Sequence, residues 1–202
     1  MKIRTITLFL LFILTLSYGE GRIKVTAKYG SINPEIQNLY DFENIFVEQL
    51  NFEGSDLKGS SYIIDVVEFK DGEKVSSNTL FDGTELDYFK INSNKSSLIF
   101  NIKLEKEDLK VQLSTDRFRS KKLYYKLSQN RDRYVLKDFF GNRSKIYLNK
   151  DEKFPILAII TPTINKNGSA SYCNVVQSEV KPDKLGISFK IPHYFLVYIE
   201  FK

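Results

Sequence analysis

The 202 residues contain one cysteine, one histidine, one methionine and no tryptophan. A single cysteine, Cys173, excludes an intrachain disulfide, and in the apolar-patterned stretch SYCNVV it reads as a small buried hydrophobe. A single histidine, His193, excludes a metal site built from several imidazoles. It also leaves a nucleophile–histidine relay only one place to stand, and no partner is identifiable there. His193 follows Pro192 and opens the final alternating segment, so it reads as a strand-end or surface histidine. Glycine is sparse, at ten residues, and no Gly-rich phosphate loop, nucleophile elbow or Cys/His metal spacing is present. No cofactor is expected. Charge of one sign is not in excess either, at +5 overall, which makes no case for a polyanionic partner.

What is present begins with MKIRTITLFLLFILTLSYG. Lys2 and Arg4 precede an apolar run from Ile6 to Leu16, and Ser17-Tyr18-Gly19 offers small residues for cleavage, so residues 1–19 read as a secretory signal peptide. The run is about half the roughly 20 residues a membrane-spanning helix needs. Its removal leaves 183 residues carrying 28 basic and 25 acidic side chains. That length suits one domain, residues 20–202, with enough surface to bury that no disulfide is required. Export without disulfides points to a bacterial envelope, periplasmic, surface-exposed or secreted. Three alanines, no tryptophan and abundant Lys, Asn, Ile, Tyr and Phe agree with AT-rich bacterial coding.

The strongest folding signal is YIIDVVEFKDGEKVSSNTLF, Tyr62 to Phe81. Asp71-Gly72 suits a two-residue turn with positive φ at both centres. A two-residue loop pairs residues whose numbers sum to 143, which sets Lys70 against Glu73, Asp65 against Asn78 and Tyr62 against Phe81. Tyr62–Val67 is apolar on both faces save Asp65, the mark of an interior strand, whereas Ser76, Ser77 and Asn78 suit an exposed one. Phe154–Thr161 is also apolar on both faces, with Pro155 fitted to a strand start or an edge.

Elsewhere alternation dominates. Arg22–Tyr29 alternates throughout. Asn33 can cap and Pro34 can open a short helix whose Ile36, Leu39 and Tyr40 share a face. Phe46–Phe52, Tyr88–Ile91, Ser97–Leu104, Leu109–Leu113, Lys121–Leu127, Lys145–Leu148, Ser171–Val180, Leu185–Ile191 and Tyr194–Phe201 read as strands. Arg131–Gly141 has helical spacing at Val135, Leu136, Phe139 and Phe140, but Tyr134-Val135-Leu136 fits a strand equally. The sum is an all-β, antiparallel β-sandwich of about a dozen strands with one or two short helices.

A small outer-membrane barrel is the competing architecture. The final HYFLVYIEFK resembles the aromatic-ended last strand of such barrels, although Lys202 departs from the usual aromatic terminus. Against it stand strands shorter than the 9–11 residues a membrane crossing takes, and the two-faced apolar strands.

Three constellations are candidates for function. Asp82, Glu85 and Asp87 crowd the DGTELD turn, as oxygen ligands of a hard cation would, though a solvated turn explains them as well. The stretch from Arg117 to Lys145 holds ten basic residues against Asp132 and Asp138, interleaved with aromatics. Arg117, Arg119, Lys122, Tyr124, Lys126, Arg131 and Arg133 are its candidate ligand-binding residues, for an anionic glycan or a protein; export argues against nucleic acid. Carboxylate pairs of a glycan-active enzyme leave no local signature and so stay open. The sequons at Asn94, Asn142 and Asn167 matter only in a eukaryotic host. The expectation is therefore an exported, non-catalytic binding module of unknown oligomeric state, with membrane contact only if the barrel holds.

Overall fold

The computed structural model describes residues 22–150, 152–164, 170–172 and 180–202. The expected export signal, Cys173, the Asn167 sequon and most of Ser171–Val180 lie outside the described residues. In chain order the elements are β1 (Arg22–Tyr29), α1 (Pro34–Phe42), β2 (Ile45–Glu53), β3 (Tyr62–Lys70), β4 (Glu73–Asp82), β5 (Lys95–Leu104), β6 (Asp108–Ser114), β7 (Arg119–Lys126) and β8 (Val135–Asp138). They continue with β9 (Ile146–Asn149), β10 (Lys153–Ile160), β11 (Thr163–Ile164), β12 (Ala170–Ser171), α2 (Leu185–Phe189) and β13 (His193–Phe201). One sheet has the order β7-β6-β5-β2-β1-β9, a second has β4-β3-β13-β10-β8, and β11 pairs with β12. Every pairing is antiparallel. The fold is an all-β sandwich rather than a closed barrel.

The alternation seen in sequence fills the space between the sheets. Val25, Leu50, Leu98, Phe100 and Val111 project from the first sheet, and Ile64, Val66, Leu157, Phe195 and Val197 from the second, all without exposed surface. Burying each such side chain is worth about 1.5–3 kcal/mol. Phe52 meets Phe201 edge-on at 5.4 Å, and Tyr125 meets Phe195 at 5.1 Å. The two-faced strands β3 and β10 do lie inside their sheet. Their second faces, Val67 and Phe69 with Ala158 and Ile160, join Tyr194, Leu196, Leu185 and Ile191 in a smaller outer core. Pro155 lies beyond the stretch of β10 that pairs with β8, and the ladder to β13 shifts just after it, so its missing N–H costs no pairing.

The hairpin turn forms as read: Asp71 and Gly72 both have positive φ, 50° and 86°. The register beyond it is corrected. Lys70 faces Glu73 and Phe69 faces Lys74, then a bulge shifts the ladder so that Asp65 faces Thr79, not Asn78. A second bulge puts Ile64, not Tyr62, opposite Phe81. The extra residue lets Leu80 and Phe81, neighbours in sequence, both be buried, which unbroken alternation forbids.

Three further readings change. Leu185–Ile191 alternates like a strand but forms α2, because Leu185 and Gly186 pack inward against the hairpin. Tyr88–Ile91 begins as a 3₁₀ turn, Asp87–Phe89. The ambiguous Arg131–Gly141 resolves into a 3₁₀ turn and strand β8. The cap of α1 is as read, Asn33 Oδ1 accepting from the Glu35 and Ile36 amides at 2.9 and 3.4 Å, yet the helix buries none of its residues. The final strand β13 is the centre of the second sheet, with both faces largely buried.

Candidate functional site

At one end of the sandwich β6 falls short of its neighbour. It pairs with β5 only from Ile99 onward, so Lys95–Leu98 has no β6 partner there. A cleft of about 550 Å³ lies at this place. Its base is the end of the core, with Phe52, Tyr62 and Ile91. Its walls are Phe89–Ser93, the β6–β7 turn Thr115–Phe118, and the ends of β1, β2 and β5.

Arg117 joins the two loops. Its guanidinium donates to the Lys90 carbonyl at 3.0 Å and to the Tyr88 carbonyl, and stacks 4.5 Å from the Tyr88 ring. The Tyr88 hydroxyl returns a bond to the Arg117 carbonyl at 3.3 Å. A rigid, planar fork of donors can span two carbonyls in this way. Phe81, Phe89 and Phe118 stack behind the joint, with centroids 4.7–5.0 Å apart. The wall is therefore preformed.

Tyr62 is the unusual member. It is 2% exposed and lines the cleft, and its hydroxyl donates to no group among the described residues. Burial pushes that hydroxyl above its ordinary range, while the nearby Arg117 draws it down and Asp116 raises it. A hydroxyl that faces the cleft without a protein partner is free to bond a ligand atom. Around it stand Asn51, Asn92, Ser93, Ser96, Ser97 and Thr115, both donors and acceptors. Four cations, Lys24, Lys90, Lys95 and Arg117, outnumber Glu53 and Asp116 among the lining residues.

Glu53 lies between Lys24 and Lys95 (3.2 Å), and hydrogen bonds from the two lysines hold it below the usual carboxylate range. A carboxylate so held is a poor proton donor, so Glu53 does not suit the acid role of a glycoside-cleaving pair.

The basic candidates do not form one surface. Arg117 is in the cleft, as a clamp. Lys122, Tyr124 and Lys126 share the outer face of β7, opposite Gln112, Lys110 and Asp108 on β6. Lys126 is paired with Asp108 at 3.1 Å and lies 3.7 Å from Glu107. Arg119 begins β7. Arg131 is 3.4 Å from Asp132, and Arg133 donates to Gln129 at 3.1 Å, in the turn before β8. The acids of DGTELD do not converge. Asp82 accepts from the Thr84 amide and hydroxyl at 2.9 and 2.6 Å, Asp87 pairs with Lys90 at 2.7 Å, and Glu85 is exposed. Among the described residues no group of three His, Cys, Asp or Glu side chains could hold a metal ion. His193 does start a strand, but it is fully buried rather than at the surface.

Sequence reasoning named Arg117 and missed Tyr62, Asp116, Asn51 and the serines. No local signal marks them, since they come from separate segments that only the fold brings together. Neither a family model, nor a curated protein, nor a solved structure matches this chain.

Proposed function

We propose that this chain is a non-catalytic glycan-binding module whose site is the cleft between Arg117 and Tyr62, and that its preferred ligand is an acidic saccharide. The observation that carries the reading is the Tyr62 hydroxyl, which has no protein partner among the described residues and stands at the base of a cleft lined by amides and hydroxyls. A polyhydroxylated ligand needs donors and acceptors in alternation with apolar surface for its ring faces, and Phe89, Phe118 and Ile91 supply the latter. The excess of cations favours a ligand bearing carboxylates. The expected export places such a module among envelope or extracellular glycans.

The test is titration of isotope-labelled protein with tetragalacturonate and, separately, cellotetraose. Saturable amide shifts confined to Tyr62, Phe89–Ser93 and Thr115–Phe118, larger for the acidic sugar, support the reading. No saturable shift with either sugar overturns it.

A further inference from the structure

His193 is the first residue of β13 and has 0% exposed surface. Its Nδ1 lies 2.5 Å from the Tyr134 hydroxyl and 3.3 Å from the Ser128 amide nitrogen, and its Nε2 lies 3.1 Å from Glu68 Oε1. A backbone amide only donates, so Nδ1 accepts and the ring carries its proton on Nε2, donating to Glu68. Glu68 also accepts from Ser76 at 3.0 Å and pairs with Lys70 at 3.3 Å. Ser128 and Tyr134 bracket the segment that carries the chain from β7 in the first sheet to β8 in the second. That crossover meets β13 through one imidazole lone pair and through the Tyr134 ring, edge-on to His193 at 5.7 Å, while Ser128 and Gln129 also bond the Tyr134 hydroxyl.

A second proton removes the lone pair. Nδ1–H then points at the Tyr134 hydroxyl, which can rotate to accept, and at the Ser128 N–H, which cannot. The groups that act on the ring are Glu68 and Lys70 of β3, Asp71 of the turn, and Tyr134 of the crossover. Burial opposes the charged ring most strongly and Lys70 adds to it; Glu68 and Asp71 work the other way, and the balance keeps His193 below the usual histidine range.

We propose that His193 is a proton-operated latch on the Ser128–Tyr134 crossover, closed while the ring is neutral and released when it takes a second proton. Release lets the turn that carries Arg131 and Arg133, which is closed by its own bonds to Asn130 and Gln129, move away from β13. It also disturbs the outer cover of the second sheet, because the Tyr172 hydroxyl donates to the Arg133 carbonyl at 3.0 Å.

As the chain's only histidine, its ring resonances are identified without assignment. An NMR pH titration of the intact protein is expected to place the His193 midpoint below about 6.5, the free value. Amides of residues 128–134 should shift with the same midpoint, while those of Phe46–Phe52 on β2 stay still. His193→Asn keeps an oxygen acceptor without a titrating ring and should abolish the response of 128–134. Should that variant not fold, Glu68→Gln removes the carboxylate that favours the charged ring and should lower the midpoint, with the 128–134 amides following it. A wild-type midpoint at or above the free value overturns the latch. So do crossover amides that ignore the titration, or a Glu68→Gln midpoint that does not fall.

Discussion

Gly72 and Gly186 touch backbone to backbone: a Cβ on Gly186 would sit 2.8 Å from the Gly72 Cα and 2.9 Å from the Tyr194 ring. The contact seats α2 on the tip of the β3–β4 hairpin and closes the outer core over Phe69 and Tyr194, whose rings stack at 4.7 Å. Gly186→Ala should therefore lower stability by about 1–3 kcal/mol, despite alanine's better helix propensity. Thermal unfolding checks this; an unchanged or raised midpoint would show that the helix can lift without loss.

Glu48 is 4% exposed on the inner face of β2, and no hydrogen bond or ion pair reaches its carboxyl among the described residues. Burial, aided by Asp138, raises it from 4.5 to about 7. The folded state thus holds this proton more tightly than the unfolded chain. Its contribution is fully present below pH 4.5 and is lost as pH rises through about 7. Glu48→Gln removes the ionisation, and its advantage over the wild type should grow across that window to on the order of 2 kcal/mol. Urea unfolding at several pH values gives the comparison; a constant difference contradicts it.

Asp65 shows the opposite sign. Burial works against its charge, but Lys153 at 2.5 Å and the Thr79 hydroxyl at 2.7 Å outweigh this and hold it below the usual aspartate range. Its contribution is present above about pH 3.8 and disappears as pH falls through the depressed folded value. Asp65→Asn should cost about 1 kcal/mol at neutral pH and nothing in strong acid, measured by the same unfolding series.

How far these features were legible follows physical lines. Asp71-Gly72 and Asn33-Pro34 could be read because their chemistry acts within a few residues. The interior places of β3 and β10 could be read because apolar residues on both faces have only one stable setting. The bulges opposite Glu68–Phe69 and Ile64–Asp65 could not; the second accompanies the burial of Leu80 and Phe81 together. Leu185, Ile187 and Phe189 mimic a strand, and the packing of Leu185 and Gly186 on the distant hairpin, which favours the helix, has no local signal. Arg117 was visible as a charge; its role depends on two carbonyls, Tyr88 and Lys90, that are 27–29 positions away in the chain.

The Arg117 clamp yields a paired prediction. Arg117→Lys keeps the charge but cannot bridge two carbonyls in a plane, so it should cost about 1–2 kcal/mol and weaken sugar binding. Tyr62→Phe should leave the thermal midpoint unchanged or raise it, while reducing sugar binding several-fold. Calorimetric titration beside thermal unfolding separates the two. A Tyr62→Phe protein that binds as tightly as the wild type removes that hydroxyl from the site.

The central place of β13 sets a schedule for assembly. Glu68 and His193 stand 125 residues apart, yet their strands are neighbours. Until β13 is made, β4-β3 and β10-β8 are two separate ribbons with apolar edges and nothing between them. The six-stranded sheet, whose strands all precede residue 150, can pair earlier. The nascent chain should therefore wait half-built, its second sheet slow to close and open to capture by chaperones in the meantime.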